Sequence, residues 1–514
     1  MTRDLHIVSE KGSRLPTARR MAAASLANLF FFCIQSLLFL VFTPWLLKVL
    51  GEELYGFWSI LIALVGFASL GNFSFGSALV KYVAEFNVSE NSRDSLSAAI
   101  LFGFVSLLLL GVFVAIIVFT LSGWIVNRFA TVTISLTDLT IAIRLAAISI
   151  VPLFIIQVPT GIFAGLVRYE VSSIITVTQQ AMLLIGSLII GYYARHIVNL
   201  ALWYLLVQVA ICLLSLYIAW RILRPFRLRF SLDRKISSKL IQYSFVAWVA
   251  NLGSMLFGSA DRILVGTFLG PSAAGVYSVA TGVAMKLNQL IAPITDVLMP
   301  FSSSYQAVGK NDSLNFALCY GSRVSACLLV AVAGLLILWA EPLLGWWISP
   351  DFAIRHANLL RTLFVCYAIF SMAAPSYQIS RGLGFIAVPA IITISSAVFV
   401  LLLISIFSPA YGLVGAAIAN FGYILVLGIN FHVARKLALN WKIAVLKPLG
   451  PPFIVLLLLT PIGLLFNLSA PARAVITIVL LSMLGWMVVR PQEFRIFIAA
   501  ICNVKGERSS LHIA

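Results

Sequence analysis

Charged and amide side chains interrupt long apolar runs in this sequence, and these are the residues with chemistry to offer. Within 241–268, Asn251, Ser254, Gly258 and Asp261 recur at i, i+3, i+7 and i+10, which places them on one face of a helix. Within 273–299, Lys286, Gln289, Pro293 and Asp296 repeat that spacing. Asn28 and Gln35 are seven residues apart and share a face of the first run, Arg144 lies inside the run 139–164, and Arg361 stands near the start of the run 358–379. A charge at the centre of a spanning helix costs roughly 2.5–3.5 kcal/mol on insertion scales, so it turns toward a cavity or a partner. A cavity lined by Lys and Arg selects an anion; phosphate suits Lys as a point charge and Arg as a bidentate fork.

Lys286, Arg144 and Arg361 are therefore candidate contacts for an anionic substrate, with Asn251, Gln289, Asn28 and Gln35 as hydrogen-bonding amides beside them. Asp261 and Asp296 are candidates for ion coupling, because carboxylates in spanning segments commonly relay protons. Plainer roles stand alongside. Asp261 and Arg262 can anchor a helix end by snorkelling, Asp296 can pair with a structural cation, and Asn28 and Gln35 can serve as hydrogen-bond glue between helices. No residues form a catalytic or metal-ligating motif: G-x-x-x-x-G-K-[ST] and H-E-x-x-H are absent, the five histidines are scattered, and the six cysteines show no C-x-x-C spacing. No cofactor is expected.

The elements that must position these groups follow from composition. Of 514 residues, 61% are hydrophobic and 10% charged, against about 25% charged in an average globular chain. That excludes a soluble globular domain and a disordered chain. With about 20 residues per crossing, apolar runs separated by polar punctuation predict fourteen spans: 22–47, 56–80, 97–121, 139–164, 172–193, 198–220, 241–268, 273–299, 316–340, 358–379, 385–407, 412–434, 446–466 and 472–489. The apolar stretch Met21–Leu50 is too long for the core of a signal peptide and reads as a first span that stays attached.

Charge orients the chain. The formal net charge is +18, which in a soluble protein would suggest nucleic acid; here the excess follows the loops. With the N-terminus inside, 26 basic residues fall in inside segments and five in outside ones, the bias expected of cytoplasmic loops. Both termini are thus expected in the cytoplasm and no nucleic-acid partner is expected. The basic stretch 221–239 reads as an orientation signal touching anionic headgroups, or else as a regulatory or partner site.

The chain also repeats itself. LGEELYGFWS (50–59) and LGPSAAGVYS (269–278) share L-G-x4-G-x-aromatic-S at an offset of 219, and GLVRYEVSSIIT (165–176) and GLGFIAVPAIIT (382–393) align at 217. Two matches at nearly one offset predict two homologous six-helix halves in parallel orientation, which place a substrate site at their interface and alternate access by rocking. The expected fold class is all-α: a polytopic membrane protein of about fourteen transmembrane helices, two six-helix pseudo-repeats plus two C-terminal helices. The expected division is a cytoplasmic tail (1–20), an N-terminal bundle (21–220), a basic linker (221–240), a C-terminal bundle (241–434), two further helices (435–489) and a cytoplasmic tail (490–514).

Six segments in order, LGEELYGFWS, FSFGSALVKYVAEF (73–86), GLVRYE (165–170), SADRILVGTFLGPSAAGVYSVA (259–280), LMPFSSSYQA (298–307) and YGLVGAAIAN (411–420), resemble the polysaccharide-biosynthesis and O-antigen flippases of the multidrug/oligosaccharidyl-lipid/polysaccharide (MOP) superfamily. The sequence departs from that pattern at Asn72, Phe73 and Ser74, where members often carry D-x-G, and the departure argues against a coupling carboxylate at this position. The resemblance implies a non-enzymatic flippase of the bacterial plasma membrane, moving a polyprenyl-diphosphate-linked oligosaccharide from the cytoplasmic to the periplasmic leaflet. It also implies work alongside a polysaccharide polymerase and other assembly proteins. Two further classes remain: an ion-coupled exporter of small amphiphiles, which would favour carboxylates in its cavity, and a membrane enzyme of envelope assembly, for which the loops offer no catalytic domain.

Overall fold

The computed structural model describes residues 18–488 apart from 89–92, 130–133, 167, 224–233, 257–258, 297, 300–301, 303–310 and 467–468. In lipid every backbone polar group must be satisfied within its own segment, and the described chain is accordingly helical. The order is α1 (Ala18–Ala68), a 3-10 turn (Ser69–Asn72), α2 (Phe75–Val88), α3 (Arg93–Val126), α4 (Leu136–Ile155), α5 (Gln157–Gly165), α6 (Tyr169–Tyr193) and α7 (Ile197–Leu223). It continues with α8 (Arg234–Leu256), α9 (Ala260–Leu269), α10 (Pro271–Thr295), α11 (Asn311–Trp347), α12 (Pro350–Ser371), α13 (Ala374–Gly382) and α14 (Ala387–Ala419). A 3-10 stretch (Asn420–Leu427), α15 (Gly428–Lys436), a π turn (Lys442–Leu446), α16 (Lys447–Leu465) and α17 (Ala470–Val488) complete it.

The described residues of the apolar segments expected to span are mostly helical, with turns at Phe73–Ser74 inside 56–80 and Met372–Ala373 inside 358–379. Two pairs share one continuous element: α1 breaks at Gly51 (φ 79°) and α14 at Gly412 (φ 61°). Ten described helical stretches are long and apolar enough to cross a membrane. The stretches α8, α9 and α10 are not among the ten, and they are the ones that carry the polar stripes. The free thiols Cys212, Cys327 and Cys366 are buried as small core residues.

The duplication is visible in backbone geometry. Gly51 and Gly270, equivalent at the 219-residue offset, adopt φ 79°, ψ 165° and φ 86°, ψ 171°, a region open to glycine. The nine-residue helices α5 and α13 end on Gly165 and Gly382. Beyond them the Leu166 amide donates to Ile162 O at 3.0 Å and the Leu383 amide to Ile379 O at 2.9 Å.

These paired motifs also touch one another. A Cβ on Gly56 would lie 1.7 Å from Pro271 O, and a Cβ on the equivalent Gly275 would lie 2.8 Å from Glu52 O and 3.0 Å from Gly56 Cα. The two halves therefore meet backbone to backbone. Below this crossing a seam runs the length of the second span: Gly266 against Ile60, Gly66 against Ser259 Oγ, and the Trp248 indole donating to Leu70 O at 2.8 Å. It ends at Tyr82 and Lys81 against Tyr243, with the Lys81 ammonium 4.4 Å from the ring centre. Helix α8 bridges the halves. Its first turns join a small cluster with Ala78, Tyr82, Ala98 and Ala99 through Ile236 and Leu240, whereas Gly253 packs against Thr393 and Ile394 of α14.

Gly56→Ala is expected to cost about 1–3 kcal/mol by overpacking, because the atom it meets is backbone. Gly123→Ala, with nothing within 4 Å of the new methyl, is expected to be neutral. Thermal melts of the two purified variants against the unaltered protein check this, and equal melting temperatures would contradict the crossing.

Candidate functional site

The interface between the halves is built mainly by α1 and α10. Gly282 admits the Phe39 ring, whose Cζ would be 2.7 Å from a Cβ there. One turn further along α10, Lys286 lies beside that ring, its ammonium 5.5 Å from the centroid, and donates to Gln289 Oε1 at 3.0 Å. Gln289 is exposed and Lys286 half-buried. Asn288, on the adjacent face, is taken up in packing and donates to Ser371 Oγ at 3.2 Å. The α10 stripe ends at the exposed Asp296, which accepts from Gln378 Nε2 of α13; Gln378 in turn accepts from Arg381 Nη1 at 3.3 Å.

On the N-terminal side, the Gln35 carbonyl of α1 accepts from Gln180 Nε2 of α6 at 3.3 Å, and Gln179 Nε2 donates to Gln208 Oε1 of α7 at 2.9 Å. Gln179, Gln180 and Gln208 were not among the residues singled out from sequence. The adjacent pair Gln179–Gln180 inside an apolar run was the available signal, as were Gln378 and Arg381 on a short helix following the break at Ser371. Asn28 and Asn251 lie on α1 and α8, but their side chains fall outside the described residues, as do those of Ser254 and Pro293 and the whole of Gly258.

One end of this interface is closed by polar contacts. Glu52 pairs with Arg355 of α12 at 3.5 Å and accepts from Ser272 Oγ at 3.3 Å, while the Trp347 indole donates to Leu40 O. Ion pairs as exposed as Glu52–Arg355 contribute about 0–1 kcal/mol.

Arg144 and Arg361 have partners elsewhere, and they are themselves a pair, 217 residues apart. Arg144 of α4 donates to Ser122 Oγ of α3 at 3.2 Å and lies over Phe119. It is exposed in line with the exposed Ile141 and Ile148. Arg361 of α12 is buried; it donates to Ile337 O of α11 at 3.2 Å and to Asn358 Oδ1 at 2.7 Å. It also reaches Glu341 at 3.6 Å, which Arg473 of α17 approaches at 3.9 Å. Each arginine thus braces its helix against the preceding long helix at the same place in the repeat. Their partners lie on α3, α11 and α12, away from α1 and α10.

Asp261 lies deep in the C-terminal half, 1% exposed. Its Oδ1 accepts from the Arg262 amide at 2.8 Å, and the Tyr277 hydroxyl is a side-chain hydrogen-bond partner of the carboxylate. The hydroxyls of Tyr277 and Tyr367 are its electrostatic neighbours. Asn420 donates to the Tyr277 hydroxyl at 2.9 Å, and its own Oδ1 and the Tyr367 hydroxyl are unpartnered. Buried oxygens left unmatched, as in Asn420 and Tyr367, cost stability. Among the described residues no three His, Cys, Asp or Glu side chains gather as a metal site.

Comparison with known proteins agrees with this architecture. The profile of a family described as polysaccharide biosynthesis protein matches residues 23–306. A Shigella flexneri protein named for O-antigen transport is 24% identical over 400 residues, covering 77% of this chain and 93% of its own. An uncharacterized membrane protein of Methanocaldococcus jannaschii is 21% identical over 378 residues, covering 71% and 74%. Among solved structures, the inward-facing form of a multidrug resistance MATE family transporter of the MOP superfamily superposes with a TM-score of 0.68 at 16% identity, over 80% of this chain and 98% of that one. The lipid II flippase MurJ in an inward closed conformation gives 0.67 at 16% identity, over 93% and 100%.

If the α10 stripe lines a water-filled gap, Gln289→Cys in a cysteine-free background reacts with a water-soluble maleimide, whereas Ser371→Cys, fully buried, does not. Equal labelling of the two, or of neither, would count against an aqueous face on α10.

Proposed function

The chain belongs to the polysaccharide biosynthesis protein family and has the all-α fold of MOP-superfamily transporters, and from this we propose that it is a flippase for a polyprenyl-diphosphate-linked oligosaccharide, acting by alternating access between its two halves. The observation that carries the proposal is the polar face of α10, with Lys286 and Gln289 turned toward α1 at the junction of the halves. An ammonium in that position attracts a diphosphate as a point charge. The amides of Gln289, Gln35 and Gln180 supply the donor–acceptor pairs that sugar hydroxyls require. Asn28 and Asn251 belong to the same stripes by sequence spacing and extend this reading. The prenyl chain stays in lipid while the headgroup crosses.

In the proposed cycle the end bearing Glu52 and Arg355 faces outward and is closed, and the gap admits substrate from the cytoplasmic leaflet of a bacterial plasma membrane. The charge bias of the loops supports cytoplasmic termini. Asp296 and Arg381 stand at the inner end of the α10 stripe. Arg144 and Arg361 act as braces within their own halves instead of as headgroup contacts. Asp261, a carboxylate buried beside the Tyr277 and Tyr367 hydroxyls, is the proposed ion-coupling group, and Asp296 the second candidate. The chain acts without covalent catalysis, and its natural partners are the enzymes that polymerise the delivered repeat units. Residues 21–220 and 241–434 are the proposed moving bodies, with 435–489 an appendage on the second.

Lys286→Gln is expected to lower the flipping rate about tenfold or more, the loss associated with a hydrogen bond to a charged group, while Lys286→Arg retains most of it. Leaflet-resolved measurement of the lipid-linked precursor reads this; a flippase defect strands precursor on the cytoplasmic face. Precursor accumulating on the outer face would indicate an enzyme, and drug sensitivity with normal surface glycan would indicate an exporter. Asp261→Asn is expected to retain substrate binding and lose the dependence of transport on an imposed ion gradient, tested in proteoliposomes. Unchanged gradient dependence would remove Asp261 from the coupling role.

A further inference from the structure

The second spanning segment contains a break that its repeat partner lacks. Between the 3-10 turn Ser69–Asn72 and α2, Phe73 and Ser74 adopt φ 48° and φ 55°. Two successive side-chain-bearing residues in the left-handed region are costly. The other described non-glycine residues with positive φ, Arg195 and Ala438, are single and follow helix C-termini, where that conformation is ordinary. At the 219-residue offset, Phe73 and Ser74 correspond to Ala292 and Pro293, through which α10 continues as helix. The fold therefore does not require the break.

What holds it comes partly from the other half of the molecule. The Asn72 side chain accepts from the Ser74 amide at 2.7 Å, a local cap. Trp248 of α8 packs its ring on Phe73, centroids 5.0 Å apart, and its indole N–H donates to Leu70 O at 2.8 Å. The Ser74 hydroxyl is buried without a hydrogen-bond partner, so serine gains nothing there that would offset its backbone strain. Glycine would adopt the same φ without penalty.

We propose that Phe73–Ser74 is a sprung joint in the second spanning segment, held bent by Trp248 across the seam and released toward straight helix when the halves part along this stretch. Separation removes the indole donor from Leu70 O and the ring from Phe73 in one movement. The freed carbonyl then finds its partner by resuming helix. Strain stored at the joint in the seam-closed state favours opening, and the Trp248 contact opposes it. The balance sets the population of the two states and couples motion of α8 to the angle of α2. The proposal rests on the alternating-access reading only in taking the halves to separate here, and it needs no assumption about what is transported.

The test uses the full-length protein in lipid nanodiscs, cysteine-free except for Ser77→Cys on α2 and Gln242→Cys on α8, both exposed, with spin labels and double electron–electron resonance distances. Ser74→Gly is expected to shift the ratio of short to long separations about fivefold or more toward short, since it removes the left-handed penalty and disfavours straight helix. Trp248→Phe, which keeps a ring on Phe73 and removes the N–H donor, is expected to shift it toward long. The double variant should return near the starting ratio, and Ser74→Ala, which keeps the penalty, should match the unaltered protein. An unchanged ratio in Ser74→Gly, or shifts of the same sign in Ser74→Gly and Trp248→Phe, would overturn the joint. If Trp248→Phe does not fold, the contrast between Ser74→Gly and Ser74→Ala decides alone. Loss of flipping in Lys286 variants with these distances unaltered would bear on the substrate site and leave the joint standing.

Discussion

A peptide carbonyl stands where any side chain at residue 56 would be. The approach of Pro271 O to Gly56, with Gly275 answering it from the other half, is the constraint on which the arrangement of the halves depends. Within a bilayer there is no hydrophobic gain from bringing two helices together, so association relies on close packing at small residues. The left-handed glycines 51 and 270 turn each chain into this crossing. Once α1 and α10 are locked there, Phe39 must meet Gly282, and Lys286 must stand beside the ring at the interface.

The charges sort by where folding puts them. Arg361 has a carbonyl, an amide oxygen and a carboxylate around its guanidinium, and Arg144 is tied to a hydroxyl on the adjacent helix. Both serve internal bracing, at equivalent places in a duplicated scaffold. The buried Arg361 arrangement is weak evidence of net stability, since desolvation opposes the attraction, but removing one partner is strongly disruptive. Lys286 differs in place: its ammonium lies beside an exposed amide of its own helix and against the Phe39 ring of α1, at the interface of the halves.

The halves have diverged in chemistry while keeping their geometry. The N-terminal half offers glutamines at α1, α6 and α7, neutral groups that bind hydroxyls. The C-terminal half encloses Asp261 with Tyr277, Tyr367 and Asn420, a buried set of oxygens. The second span of the first half bends at Phe73 where its mate stays helical.

Composition, apolar run length and loop charge fixed the class of the molecule, because a bilayer tolerates little except helices and the chain must pay for each polar residue it carries into one. The repeat and its register were legible as well: glycines at positive φ accept few substitutes, so LGxxxxG survives where surrounding residues change. The stripe of Lys286, Gln289 and Asp296 could be read from helical spacing, since that is a property of one segment. Sequence could not say which cations face the interface, because Arg144, Arg361 and Lys286 look alike in apolar runs and differ only in the neighbours that folding brings. Nor could it supply the contacts between Glu52 and Arg355, between Trp248 and Leu70, or between Gly56 and Pro271. Those join residues 178 or more positions apart, and only the packing of one half on the other brings them within reach.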